Sequence, residues 1–248
     1  MKSARLPAYT ATILLMYGFW YALSSLLGST LLPDPFQVFS AGLKEIGTYA
    51  FWQHVGASIY RILAGLFIAF VAGVPLGLLL GSSPRLDRLF SPLIYLGYPV
   101  PKIVFLPIIF VLFGLGDMSK IALITLIVFF QLLITTRDAA RSIDTEVIYS
   151  LKSLGGGRLD FYRHVVWPVS LPGIFTSLRI VTGTAVAVLF FVESIGTSKG
   201  LGFTIIDAWG RADYVAMFVG IIALSVIGII LYEAFDLLER KLCKWKRA

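Results

Sequence analysis

Six stretches of about 20 or more almost uncharged residues dominate this sequence and leave few folds open to it. They lie at about 9–32, 57–81, 89–113, 118–136, 169–193 and 214–237, each near the roughly 20 residues a helix needs to cross a bilayer. The composition agrees: 58% of the 248 residues are hydrophobic and 14% charged, against about 25% charged in an average soluble domain. So few charges could not cover the surface of a soluble protein of this length, whereas hydrocarbon solvates the apolar excess. The sequence therefore predicts an all-α, polytopic membrane protein with about six transmembrane helices. The opening run, uncharged from about Tyr9 to Leu32, exceeds the 7–15 apolar residues of a secretory signal and is predicted to be a retained first span.

An even number of spans puts both termini on one side. On that side fall Lys2, Arg5, Arg85, Arg88, Arg137, Arg141, Lys152, Arg158, Arg163 and the basic cluster at 240–247, against Lys44, Lys120, Lys199 and Arg211 on the other. Basic residues in short loops mark the cytoplasmic face, so both termini are predicted to be cytoplasmic in a cell (inner or plasma) membrane. The same bias accounts for the net charge of +7 without nucleic acid as a partner. The single Cys243 excludes a disulfide framework within the chain.

Gly65, Ala69, Gly73, Gly77 and Gly81 follow one another at intervals of four in the second span, which stacks small residues on one helix face and invites close approach of another backbone. Pro75 lies in the same span, and Pro92, Pro99, Pro101 and Pro107 crowd the third. Each removes a backbone donor and tends to kink a helix, so the bundle is expected to be jointed.

Ionisable residues inside spans are costly and are functional candidates. Glu193, near the outer end of the fifth span, is either a structural anchor at the outer mouth or a pathway residue; Arg61 and Lys102 are expected to snorkel to water. Gln131, Thr135, Thr182 and Thr184 are candidate lining of a translocation path, although a mid-span Thr also bonds its own helix. GTSKG at 196–200 matches the G-x-S-x-G of serine hydrolases, with Ser198 as nucleophile. That elbow needs a strand before it, and an apolar span precedes it here. His54 and His164 fall on opposite membrane faces in this topology. There is no phosphate-binding G-x-x-x-x-G-K-[ST] and no metal-spaced His, Cys or Asp cluster.

The longest polar stretch, Arg137 to Trp167, is patterned. Asp144 is placed as an N-cap before Val147, Ile148, Leu151 and Leu154, one apolar helix stripe. Gly155, Gly156 and Gly157 stop that helix. A second short helix begins at about Leu159, with Leu159, Tyr162, Val165 and Val166 apolar, and Pro168 opens the fifth span. The product is a compact cytoplasmic knob carrying Lys152, Arg158, Asp160, Arg163 and His164.

Here the sequence resembles the permease subunits of ATP-binding-cassette importers, whose cytoplasmic loop reads EAA, three residues, Gly, nine residues, Ile-x-Leu-Pro. In this chain Gly155 is followed after nine residues by Val165-Val166-Trp167-Pro168, while Tyr149, Ser150 and Leu151 stand at the EAA places. LLPDPFQVF, SIYRILAGLFIAFVAGVPLGLLLG, YPVPKIVFLPIIFVLFGLGDMSK, SLPGIFTSLRI, ESIGTSKGLGFTI and LLERKLCKW extend the likeness over nearly the whole chain, to the nitrate, sulfonate, taurine and bicarbonate branch. The resemblance implies a type I (MetI-like) permease fold in a single domain over 1–248, with a core at about 57–240, a docking loop at about 142–168, and a first span and extracytoplasmic loop at 1–56. It implies a non-catalytic subunit, paired with a second copy as a homodimer, that docks two cytoplasmic ATPase subunits and receives its solute from an extracytoplasmic binding protein. The docking residues it implies are Tyr149, Ser150, Leu151, Gly155, Gly156, Arg158, Arg163 and Pro168. ATP and magnesium would belong to the ATPase, with no cofactor on this chain. An autonomous channel or secondary carrier, or a membrane-tethered hydrolase using Ser198, are the rival classes.

Overall fold

In a bilayer every backbone N–H and C=O must find a partner within the protein, and a helix supplies those partners locally. The computed structural model describes residues 5–247, and among these only helices and their connections occur. Lys2, counted above on the terminal side, lies outside the described residues. Five helices are long and apolar enough to cross a membrane: α1 (Arg5–Leu27), α3 (Tyr49–Ser82), α6 (Asp117–Arg141), the helical run ending in α9 (Trp167–Glu193), and α11 (Tyr214–Leu242). A sixth is a broken pair, α4 (Pro84–Gly97) and, after a single tight turn at Lys102–Phe105, α5 (Leu106–Phe113). The two halves meet at 77°. The third span is thus not the single helix expected over 89–113. Pro99 and Pro101 lie within the break and between them remove two backbone donors, while Tyr98, the residue before Pro99, still holds helical angles.

The chain forms two compact units, one of residues up to Ser58 with Glu193–Leu224, the other of Ile59–Val192 with the residues from Ser225 onward. In the first, Gly28, with φ +85°, ends α1, and the chain turns back on itself. Trp20 Nε1 donates to the Pro33 carbonyl at 3.1 Å, and Ser24 Oγ to that of Leu32 at 2.7 Å. Asp34 then caps α2 (Pro35–Ile46), accepting from the Phe36 amide at 2.6 Å. Two short amphipathic helices, α2 and α10 (Leu201–Gly210), fill connections that the span pattern leaves undefined. Gly220 of α11 admits Ile205 of α10, whose Cγ1 lies 2.7 Å from where a Cβ would stand.

The second unit is organised by the small-residue face of α3. A Cβ on Gly65 would lie 2.9 Å from Ile124 Cβ; on Gly73, 3.4 Å from Leu132 Cβ; on Gly77, 2.8 Å from Thr136 Cβ; on Gly81, 2.7 Å from Ala140 Cβ. Ala69, in the same row, is fully buried. Every glycine thus faces a residue at one constant offset along α6, so the two helices run parallel with their four-residue rows in contact. Parallel neighbours cannot be joined unless the chain between them returns across the membrane. The broken α4 and α5 pair therefore counts as one full crossing, which makes six. Opposite α3, α6 packs antiparallel against α9, with Ala139 at Gly173 and Thr135 at Ser177. In turn α9 packs antiparallel against α11, with Val186 at Gly228 and Arg179 at Asp236.

Three arginines of the second unit are paired with carboxylates. Arg137, 2% exposed, binds Asp87 of α4 and donates to Ser91 Oγ at 2.9 Å. Arg179 binds Asp236 and Glu239. Arg61 does not snorkel: it is 3% exposed and pairs with Asp117 at 2.6 Å, because the first turn of α6 brings a carboxylate to it. Lys102 is half-buried and keeps contact with solvent. Its ammonium donates to the Tyr98 carbonyl freed by the break and lies 4.6 Å from the Phe130 ring centre.

Replacement of Gly77 or Gly81 by Ala is expected to destabilise the protein by about 1–3 kcal/mol through overpacking against α6. Gly183→Ala, where a Cβ meets nothing within 4 Å, is expected to be neutral or to stabilise by up to about 1 kcal/mol through helix propensity. Thermal unfolding of the three variants in one detergent measures the difference.

Candidate functional site

Helix α7 (Thr145–Ser153) starts at Asp144, which takes the N-cap backbone position without a capping bond from its side chain. It ends in a Schellman motif. Gly155 adopts φ +79°; its amide donates to the Lys152 carbonyl at 3.0 Å, and the Gly156 amide to the Leu151 carbonyl at 3.1 Å. The three glycines have different physical roles. Gly155 supplies the left-handed backbone, with open space around its missing side chain. Gly156 is required to lack a Cβ, because the Leu151 side chain lies 2.7 Å from that position. Gly157 begins the next helix, and its amide is received by Asp160 Oδ2 at 2.9 Å.

That next helix is not separate from the fifth span. From α8 (Arg158–Phe161) the chain continues through one wide π-type turn over Tyr162–Val166 into α9, so Pro168 lies inside a helical run and does not start it. The wide turn explains how: the Trp167 amide donates to the Tyr162 carbonyl five residues back, opening the spacing where proline would otherwise crowd the preceding turn. The Tyr162 hydroxyl is 2.8 Å from Ser82 Oγ at the end of α3. Val165 and Val166 are buried, fixing the inner side of the segment.

The outer side is bare. Leu154 is 84% exposed, Leu159 78% and Tyr149 64%. Lys152, Arg158, Arg163 and His164 are exposed around them, Leu151 and Pro168 are half-buried, and Ser150 Oγ bonds back to the Glu146 carbonyl. The turn thus presents an apolar crest with a basic rim on a backbone locked at both ends.

Of the four polar residues proposed to line a path, three converge where α6 faces α9. Gln131 Nε2 donates to Thr184 Oγ1 at 3.5 Å, and Thr135 Oγ1 contacts Ser177 Oγ while also bonding its own helix. Thr182 is buried and donates to the Leu178 carbonyl of its own helix.

Glu193 belongs to the other unit. It is fully buried, and its oxygens receive Ser58 Oγ at 2.8–2.9 Å and the Gly202 amide at 2.9 Å. Ser58 Oγ in turn receives the Leu201 amide at 2.8 Å, and His54 Nδ1 the Gly200 amide at 3.1 Å. Gly200, with φ +122°, has the Glu193 carboxylate where a Cβ would stand. The carboxylate therefore straps the loop at 194–200 to α3. Sequence reasoning missed Ser58 and Gly202 as its partners and His54 as the partner of Gly200; their only local signal was the polar pair His54 and Ser58 at helical spacing. Ser198 lies exposed on this loop, between α9 and α10, with no strand before it, so the hydrolase elbow is not built.

Residues 73–244 match the family described as binding-protein-dependent transport system inner membrane component. The chain belongs to that family. It is 33% identical to the taurine transport system permease protein TauC of Escherichia coli, over 98% of this chain and 90% of that one. It is 30% identical to the putative aliphatic sulfonates transport permease protein SsuC of Bacillus subtilis, over 100% and 88%, and 32% identical to the riboflavin transport system permease protein RibX of Chloroflexus aurantiacus, over 95% and 88%. Its fold is shared with a chain of the inward-facing MetNI methionine ABC transporter, with a TM-score of 0.66 at 21% identity, over 79% of this chain and 97% of that one. The chain is thus a non-catalytic, multi-pass permease subunit of an ABC importer, served by a separate ATPase and a binding protein.

Replacing Glu193 by Gln puts an amide donor among donors, and is expected to destabilise the strap by about 1–3 kcal/mol. Hydrogen exchange at the amides of Gly200, Leu201 and Gly202 should quicken while that of α6 stays unchanged.

Proposed function

We propose that this permease works as a homodimer with two ATPase subunits and imports a small sulfonate. The observation that carries the coupling half of this reading is the bare crest of Tyr149, Leu154 and Leu159 on the Schellman turn at Gly155. Large exposed apolar residues rimmed by charge mark a protein partner, and the chain has no phosphate-binding loop with which to hydrolyse ATP itself. The crest would seat in a cleft of the ATPase, which holds ATP and magnesium. Closure of the ATPase pair on ATP would draw the two crests together and turn the bundle outward-open; hydrolysis would reset it. The unbroken helical run from Arg158 to Glu193 makes this coupling mechanical, since movement at the turn is movement of the span. Both termini are assigned to the cytoplasm from the basic-residue bias. The solute class is supported by the taurine and sulfonate relatives.

Gly155→Val is expected to abolish binding-protein-dependent uptake while membrane insertion stays normal, because a β-branched residue cannot hold φ +79°. Uptake and co-purification of the ATPase are measured together, and full uptake with a normally bound ATPase would overturn the docking assignment. Ser198→Ala is expected to keep most of the uptake, where a hydrolase would lose all activity.

A further inference from the structure

Three independent features meet at the break in the third span. The backbone leaves helical geometry between Gly97 and Lys102. Irregular backbone at membrane depth is tolerated where it is buried in protein or lines a water-filled cavity, and interrupted helices of this kind are where transporters hold solutes. A cavity of about 390 Å³ opens there, within the range of small-molecule sites. A cation stands at its edge: Lys102 lines the cavity with Tyr98, Phe130 and Gln131. Of its three ammonium donors, one is given to the Tyr98 carbonyl, which leaves two for oxygens of a ligand.

The third feature is an incomplete amide. Gln131 Oε1 is shielded from solvent and has no hydrogen-bond partner, while Nε2 makes only the 3.5 Å contact to Thr184. A buried acceptor left unpaired is costly, and such an atom beside a cavity calls for a group to fill it. Exchanging the amide's oxygen and nitrogen does not remove the deficit. It converts an orphan acceptor into an orphan donor.

We propose that this break is an intramembrane subsite for a small sulfonate, Lys102 binding the sulfonate oxygens and the Gln131 amide bonding the ligand beside it. The proposal rests on the solute class argued above. It gives that class a physical cause within the permease: an ammonium in a half-apolar cavity attracts the sulfonate group, whether an anion such as ethanesulfonate or the zwitterion taurine carries it. The aromatic faces of Tyr98 and Phe130, 5.1 and 4.6 Å from the ammonium, hold it in place when the site is empty.

The test uses the complete transporter, with its ATPase and binding protein, in liposomes, and follows uptake of ethanesulfonate and taurine together with ATP hydrolysis. Lys102→Gln is expected to lower uptake about tenfold or more, the loss of one charge-assisted bond, while stimulation of ATP hydrolysis by the loaded binding protein persists. Lys102→Arg should restore most of the uptake, and Gln131→Glu, which sets a like charge against the sulfonate, should lose ethanesulfonate uptake as Lys102→Gln does. Unchanged uptake by Lys102→Gln overturns the proposal. So does a loss of both uptake and ATPase stimulation in Lys102→Gln and Lys102→Arg alike, the mark of a structural role. So does a Lys102→Gln defect that appears only in liposomes containing phosphatidylglycerol and vanishes in pure phosphatidylcholine, since the lysine would then hold a lipid phosphate. A wild-type complex that imports neither probe overturns the solute class itself, and the subsite with it.

Discussion

The close approach of α3 and α6 is the contact on which the second unit depends. Lipid gives two apolar helices no reason to associate, so their attraction comes from packed atoms at short range, and only small side chains let the backbones near enough. The glycines at 65, 73, 77 and 81 meet that demand against Ile124, Leu132, Thr136 and Ala140. The register they impose places Arg61 beside Asp117. It also holds Arg137 at the far end of the same row, where Asp87 of α4 meets it. A buried charge without its partner would cost far more than any packing contact returns. Once α3 and α6 are parallel, the third span has to cross between them, and α9 and α11 alternate in direction behind α6.

A permease that cannot hydrolyse ATP needs a stiff connection between the place where force arrives and the helices that move. The turn at Gly155 is stiffened by two Schellman bonds and by Asp160 at the head of the following helix. The π-type turn keeps helical continuity through Pro168, where a proline would otherwise make a hinge. The third span is the opposite case. Its break at Tyr98–Pro101 leaves two half-helices free to differ in tilt, and it faces α6 through Phe130 and Gln131. Under the docking proposed above, stiffness along the fifth span would transmit movement from the turn, and the break in the third span is where the bundle would yield.

What was legible in the sequence was what a bilayer enforces locally. Apolar run length gave the spans, the four-residue glycine row gave a packing face, and Gly155 gave a left-handed turn. What was not legible depends on which residues meet across the fold. Arg61 reads locally as a charge near a span end that should snorkel, and nothing within a helical turn of it hints at Asp117. The prolines of the third span announce a distortion, but four of them compete, and the sequence does not tell that it is at Pro99 and Pro101 that the chain parts. Glu193 reads as an intramembrane charge of open purpose until Ser58 and Gly202 are seen to donate to it. The π-type turn escaped because Pro168 on its own reads as a helix start.

The departure from the family loop at Tyr149, Ser150 and Leu151 has a physical counterpart four to seven residues later. Where the family pattern has alanine, Leu151 brings a branched side chain to the carboxyl end of α7, and that side chain occupies the space a Cβ on residue 156 would need. The missing side chain at Gly156 is what leaves Leu151 its place, and a larger residue there would push Leu151 out or unwind the Schellman bond its carbonyl accepts. Tyr149 makes a different exchange. It puts an exposed ring where the pattern has a carboxylate, so the proposed crest would offer a partner an apolar and basic face whose nearby acid is Asp160, held by the Gly157 amide. An ATPase matched to this permease would need a cleft with more apolar wall and more negative rim than one matched to a glutamate at that place, and specificity between transporters of similar fold would follow from that difference.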